Sequence, residues 1–344
     1  MRGEQNGTAA SHAHSVRSSP AGRVRGRRRS PSCNDVIRDR SLSTVARRDP
    51  VGVIRVICGS LTFLHLSIAA RERFIRAGIP PDQAAIDAEV LARAAAEWDR
   101  ATWLARRDEP AGADAAARFE AMAVRRQRRE PVAYITGVRE FWGLDFIVSP
   151  AVLIPRPETE LIVEAALERL ADPARAWRIA DVGTGSGCIA VALATERRAA
   201  AVTATDISAA AIEVARENAT RHGVQDRVAF VETSLLSGTD GPFDLIVANP
   251  PYVPTFARTA LAPDVREFEP DAALFGHGAD GLDEARAILT QAATRLAPGG
   301  WLLMEFGYGQ GDEVREAASG VPGLRAEMIL RDLQGHERTL VARA

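Results

Sequence analysis

Apolar positions recur along the chain with two different spacings, and the change from one to the other divides it. In "IDAEVLARAAAEW", Ile86, Val90, Leu91, Ala94, Ala95 and Trp98 fall on one face at helical spacing. Asp82, just after Pro80 and Pro81, is the expected N-cap of that helix. "DAAARFEAMAVRRQRRE" repeats the pattern, with Phe119 and Met122 expected inward and Arg125 to Arg129 outward. Together these segments predict a small helical bundle over residues 59–129. Residues 130–160, "EPVAYITGVREFWGLDFIVSPAVLIPRPETE", turn to strand character. Tyr134, Phe141, Trp142, Phe146 and the branched aliphatics predict a β-hairpin connector with "GL" near its turn, and "IPRPETE" opens the next helix.

From residue 161 to 344 short apolar runs alternate with helical stretches. The expected strands are "RIADVG" (178–183), "AVTATD" (201–206), "RVAFVE" (227–232), "FDLIVAN" (243–249) and "GWLLMEFG" (300–307). Strands alternating with helices such as "ISAAAIEVARENATRHG" predict an α/β domain on a doubly wound, mostly parallel sheet. The final "AEMILRDLQGHERTLVARA" reads instead as two strands and a loop, an antiparallel hairpin at the sheet edge. Residues 1–58 show neither period. Their Arg, Ser, Gly and Pro content predicts a disordered basic tail. An upstream extension from a mis-assigned start, an organelle transit peptide and a basic RNA-touching arm are the competing readings of it.

Composition narrows the chemistry. All 43 basic residues are arginine, which removes a Walker lysine, a lysine Schiff base and a lysine general base together. Residues 1–50 carry 11 arginines against 4 acidic residues, whereas the remainder carries 32 against 41. A body of that sign does not suggest a broad nucleic-acid-binding surface. Cys33, Cys58 and Cys188 are scattered, which argues against a zinc site or disulfide framework and fits the cytoplasm. No apolar run is long enough for a membrane span, and no metal is expected.

Three motifs remain to be explained. In "DVGTGSGC" a glycine-rich turn links an apolar strand to a helix expected to begin near Cys188, so Gly183, Thr184, Gly185, Ser186 and Gly187 are candidate cofactor contacts. The glycines alternate strictly, unlike the wider second gap of a dinucleotide fingerprint. Asp206 ends the next strand, where a carboxylate accepts hydrogen bonds from a ribose diol; the competing role is helix capping, shared with Ser208. These two motifs imply a nucleoside cofactor and leave NAD and S-adenosylmethionine both open.

The third motif decides between them. In "IVANPPYVP" an apolar strand stops at Asn249, Pro250, Pro251 and Tyr252, residues poorly suited to a strand and stiff where they stand. Ligands bind outside the carboxyl ends of strands in such sheets. There the Asn249 side-chain oxygen and the Pro250 carbonyl form a pair of acceptors suited to a planar NH2 group, and Tyr252 offers a flat face to stack on. Hydride transfer has no use for such a clamp; methyl transfer to nitrogen does.

On these residues the chain resembles the class I methyltransferases that use S-adenosylmethionine. More narrowly it resembles the release-factor glutamine N5-methyltransferases. The resemblance spans about residues 60–344 and rests on "EPVAYITGVREFWGLDFIVSPAVLIPRPETE", "DVGTGSGCIAVALA", "NPPYVP" and "EPDAALFGHGADGLD". It implies a Rossmann-like sheet and a five-helix N-terminal domain that docks the protein substrate. It implies methylation of the side-chain amide of the glutamine in the Gly-Gly-Gln motif of peptide chain release factors, leaving S-adenosylhomocysteine. It also implies adenine contacts after the third strand of the sheet, where the family usually has an acid and an aromatic; here Ser234 and Leu235 stand at that place. The expected protein is a monomer without a nucleic-acid substrate or membrane partner. The rival readings are glutamine methylation of a ribosomal protein and N6-adenine methylation of nucleic acid, the latter with the base flipped into the same clamp.

Overall fold

The computed structural model describes residues 61–344; the expected basic tail, 1–58, lies outside the described residues. Among the described residues the chain begins with five helices: α1 (Phe63–Arg76), α2 (Pro81–Ala96), α3 (Arg100–Arg106), α4 (Ala113–Gln127) and α5 (Val132–Thr136). Their common core holds Phe63, Phe74, Leu91, Trp103, Phe119 and Ile135.

Three expectations for this bundle are corrected. The buried face of α2 is Ala84, Asp87, Ala88, Leu91, Ala92 and Ala95, while Ile86 is exposed. Small side chains let α2 sit close to its neighbours, so alanine rather than isoleucine marks the inward stripe. The N-cap is Pro80 without a side-chain bond, and Asp82 lies within the first turn, where its charge still suits the helix dipole. The arginine run is not a uniformly solvated face either. Arg126 is buried, and its Nε donates to Asp87 Oδ2 at 2.7 Å. Arg129 donates to the Gly78 carbonyl at 2.7 Å and to Asp264 Oδ1, far along the chain, at 3.2 Å.

The connector also differs at its start. Residues 132–136 form α5 rather than strand, anchored by the Tyr134 hydroxyl donating to the Val152 carbonyl at 2.6 Å. The hairpin follows as β1 (Val138–Phe141) and β2 (Leu144–Ile147). Its turn is Trp142-Gly143, with φ of 55° and 70°, the left-handed pair of a two-residue hairpin turn.

The remaining elements are α6 (Glu160–Arg169), β3 (Arg178–Val182), α7 (Cys188–Glu196), β4 (Ala201–Asp206), α8 (Ala209–Arg221), β5 (Val228–Glu232) and β6 (Phe243–Ala248). They continue as α9 (Pro263–Phe268), α10 (Asp271–Leu274), α11 (Asp283–Arg295), β7 (Leu296–Glu305), α12 (Gly311–Ser319), β8 (Arg325–Arg331) and β9 (Glu337–Arg343). The seven-stranded sheet has the order β5-β4-β3-β6-β7-β9-β8. β3 to β7 run parallel, and β9 is antiparallel to both β7 and β8, so the edge hairpin is present as expected. One face packs α6 and α7 through Ile162, Val163, Ile189 and Leu193, and the other packs α11 and α12 through Ile288, Leu289 and Val314. The chain winds outward from β3 to β5, then returns to β6 on the other side of β3. That reversal leaves a crevice beyond the carboxyl ends of β3 and β6, the place where sheets of this kind bind ligands.

Candidate active site

At the crevice the backbone of the glycine turn is fixed by its own hydrogen bonds. The Gly183 and Thr184 amides both donate to the Thr205 carbonyl, at 2.9 and 2.8 Å, and the Gly187 amide donates to Thr184 at 2.8 Å. Gly183, Gly185 and Gly187 all have positive φ, 71°, 55° and 80°, which other residues adopt only with strain. Gly187 is doubly constrained, because a Cβ there would sit 3.1 Å from that of Ala215 on α8. Gly183, Thr184, Gly185 and Ser186 line a cavity of about 530 Å³; Gly187 instead serves the packing behind it.

Asp206 lines the same cavity from the end of β4. Its Oδ2 accepts the Gly185 amide and its Oδ1 the Ser208 amide, each at 2.9 Å, so the carboxylate ties the glycine turn to the start of α8. The capping role belongs to Ser208, whose hydroxyl accepts the Ala211 amide at 3.2 Å. Asp206 keeps lone pairs for a ligand. Ser234 and Leu235 line the cavity beyond it, with Leu235 at φ 53°. Beneath the turn, Asp181 accepts the Thr184 hydroxyl at 2.6 Å and the Ala190 amide at 3.2 Å through Oδ2, while Oδ1 has no partner. Complete burial pushes its pKa up to about 7.

The register pairs Val182 of β3 with Ala248 of β6, so Gly183 and Asn249 follow on neighbouring strands. Asn249, Pro250 and Pro251 line the cavity, as expected of a stiff strand stop. The segment is clamped from behind. The Val253 amide donates to Leu274 at 3.0 Å, the Gly276 amide donates to Val253 at 3.2 Å, and Gln310 Nε2 donates to the Tyr252 carbonyl at 3.0 Å. Gly276 admits no side chain, since a Cβ would lie 2.7 Å from the Pro251 carbonyl oxygen. Among the described residues, no donor reaches Asn249 Oδ1 or the Pro250 carbonyl. Tyr252 is the member of the tetrapeptide that does not line the cavity; its hydroxyl points inward and donates to Glu305 Oε1 at 3.3 Å.

Sequence reasoning missed two residues here. Asn249 Nδ2 donates to Thr159 Oγ1 at 3.1 Å, and that hydroxyl donates to Glu305 Oε2 at 2.7 Å. Glu305, at the carboxyl end of β7, is buried, which pushes its pKa up to about 7. The signal was present: an acid closing the apolar run "WLLME" holds the same place on its strand as Asp206 does on β4. The far wall is formed by Leu153, Pro155 and Arg156 of the connector and by Pro270 and Phe275. Arg156 donates to Glu269 Oε1 at 2.6 Å, and the Ile154 amide donates to Glu269 Oε2 at 3.3 Å, which joins those two segments.

Comparison with known proteins places the chain among its relatives. Residues 159–263 match the methyltransferase small domain family, and residues 66–137 match the PrmC N-terminal domain family. The release factor glutamine methyltransferase of Moorella thermoacetica is 47% identical over 258 residues, covering 75% of this chain and 90% of that one. The enzyme of the same description from Xylella fastidiosa is 46% identical over 281 residues, covering 81% and 97%. That from Geobacter sulfurreducens is 47% identical over 234 residues, covering 68% and 80%. With the glycine turn, the carboxylate at the end of β4 and the Asn-Pro-Pro-Tyr stop all converging on one crevice behind a five-helix bundle, the chain belongs to the release factor glutamine methyltransferase family.

Proposed function

We propose that this protein uses S-adenosylmethionine to methylate the side-chain amide nitrogen of the glutamine in the Gly-Gly-Gln motif of peptide chain release factors. The observation that carries the reading is the pair of open acceptors, Asn249 Oδ1 and the Pro250 carbonyl, on a rigid turn beside the glycine loop. The residues fit the cofactor. The cavity joins a glycine turn with close-approach backbone, a partly open carboxylate in Asp206 for the ribose, and Ser234 and Leu235 where adenine would lie. S-adenosylmethionine supplies an electrophilic methyl group there.

The chain's own contribution is orientation. A primary amide nitrogen is a poor nucleophile because its lone pair is delocalised into the carbonyl. Asn249 Oδ1 and the Pro250 carbonyl each take one N–H, which fixes the plane of the acceptor amide and directs its nitrogen toward the cofactor subsite. Positioning of this kind lowers the barrier by several kcal/mol. The same acceptors stabilise positive charge as it grows on nitrogen. The nitrogen then gives its extra proton to water, for an N-methylated cationic amide is a strong acid and needs no dedicated base. Glu305 does not line the cavity and is not that base.

Among the described residues none before Ala151 lines the cavity, so the helical bundle adds nothing to its lining. The five-helix bundle, α1 to α5, is the part of the described chain outside the pocket that offers surface for a folded partner, and a specific complex needs on the order of 1,200–2,000 Å² of buried surface. Labelled S-adenosylmethionine offered together with release factor, ribosomal proteins or DNA tests the reading. Methyl transfer to the release factor alone is expected, with Asn249→Ala losing roughly 10²- to 10³-fold in turnover while cofactor affinity holds. Labelling of DNA or of a ribosomal protein in its place would overturn it.

A further inference from the structure

An asparagine amide has nearly the same shape in its two orientations, yet only one presents an oxygen to an NH2 substrate. Something must choose, and the residues behind Asn249 do so by their donor and acceptor inventory. Thr159 is buried, and its hydroxyl carries one proton. That proton is committed to Glu305 Oε2 at 2.7 Å, because an ionised carboxylate only accepts. Thr159 therefore has nothing but a lone pair for its other neighbour, and Asn249 must turn its NH2 toward it, at 3.1 Å. The oxygen is left on the opposite corner of the amide.

We propose that Glu305, acting through Thr159, is the positioning residue that holds the Asn249 side chain with its oxygen toward the acceptor amide. The inference rests on the reading that Asn249 receives the glutamine NH2. Tyr252 supports the same carboxylate from the other side, donating to Oε1 at 3.3 Å, which leaves neither oxygen free to turn away. The parts come from separate elements: Thr159 from the turn before α6, Asn249 and Tyr252 from the stop after β6, Glu305 from β7. Their convergence is tertiary.

The relay has a direction, and protonation reverses it. A neutral Glu305 carboxyl donates to Thr159, freeing the hydroxyl proton, and Asn249 meets it by turning its amide oxygen inward in place of the NH2 that now faces Thr159. Burial raises the pKa of this group to about 7; the hydrogen bond from Thr159 and the charge of Arg338 on β9 hold it down, and Glu158 beside Thr159 pushes it further up. Thr339 of β9 faces Glu305 across the sheet, and Cys188 of α7 and Arg156 complete the ionisable surroundings of the pair with Tyr252. The productive orientation is thus held above neutrality and lost below it.

Turnover on intact release factor at saturating cofactor, followed from about pH 5.5 to about pH 9, tests this in four variants. Glu305→Gln offers Thr159 a donor, and Thr159→Val removes the hydroxyl while keeping its shape, so the relay remains testable even if the first variant folds poorly. Both are expected to lose about 10- to 100-fold in kcat, with KM for the factor and cofactor affinity unchanged. Thr159→Ser, which restores the hydroxyl, should recover turnover relative to Thr159→Val. The wild type should lose rate as the pH falls through about 7, and Glu305→Gln should lack that limb, which separates it from titration of Asp181. Wild-type kcat in Glu305→Gln or Thr159→Val, beside an inactive Asn249→Ala, would overturn the relay alone. An active Asn249→Ala would overturn the amide clamp and the relay with it.

Discussion

Arg126 and Asp87 form a buried ion pair in the helical bundle, with Nε 2.7 Å from Oδ2 and side-chain exposures of 4% and 3%. The pair is fully dressed. Gln83 donates to the other Asp87 oxygen at 2.6 Å, and Arg126 Nη1 donates to the carbonyls of Glu130 and Arg129 at 3.0 and 3.3 Å. Asp264, at the start of α9 beyond the Asn-Pro-Pro-Tyr stop, lies 3.5 Å from Arg126 and 3.2 Å from Arg129. Two of the arginines expected to point outward thus join the bundle to the segment that carries the active-site wall.

Removing one partner of such a pair strands a charge. Arg126→Ala is expected to destabilise the fold by about 3–5 kcal/mol, as unpaired buried charges do. Asp87→Ala combined with Arg126→Ala should cost less than the two single changes added together. Urea denaturation of the four proteins checks this; simple additivity would show that the two charges are not coupled.

Asp206 bridges the glycine turn and α8 and still faces the cavity. Asp206→Ala should weaken S-adenosylmethionine binding by about 10- to 100-fold, the range expected for losing charge-assisted hydrogen bonds. kcat at saturating cofactor should fall far less. Calorimetric titration gives the affinity directly, and an unchanged value would confine Asp206 to a structural tie.

Asp181 makes stability depend on pH with a definite sign. Its pKa is raised from 3.8 to about 7 by burial, so the folded state prefers the neutral acid. Its stabilising contribution is complete below about pH 4 and is lost as the pH rises to about 7. Asp181→Asn does not titrate. Relative to wild type it should therefore gain stability across that window, on the order of 1–4 kcal/mol, and run parallel to it above. The change with pH is the diagnostic quantity, because the new amide also leaves a buried donor to satisfy. Melting curves through the window that stay parallel would show that Asp181 titrates normally.

The sheet and the three cavity motifs were legible because their signals are local. Three of the five expected strands end where an apolar run meets Gly183, Asp206 or Asn249, and the rule that ligands gather at carboxyl ends does the rest. The relay was not legible, since Thr159 and Glu305 are 146 residues apart and meet only through the packing of α6 against the sheet. The burial of Arg126 depends likewise on a partner 39 residues away. Ile86 misled for a different reason: a helix closely packed through alanines leaves its larger side chain outside. Tyr252 was assigned a stacking face, but a hydroxyl with a buried carboxylate in reach turns inward instead.

The pairing of Val182 with Ala248 sets the cofactor turn and the amide clamp on adjoining strands. Their separation is accordingly a repeat of the sheet, about 4.8 Å between neighbouring strands, and no side chain adjusts it. Reach is a property of the backbone, whereas the proposed docking of a protein substrate falls to the five N-terminal helices, none of which lines the cavity. That backbone frame is not separable from what precedes it: Phe141 and Phe146 of the hairpin are buried in the core of the sheet, and Arg129 pairs with Asp264, so the crevice and its surroundings fold as one body.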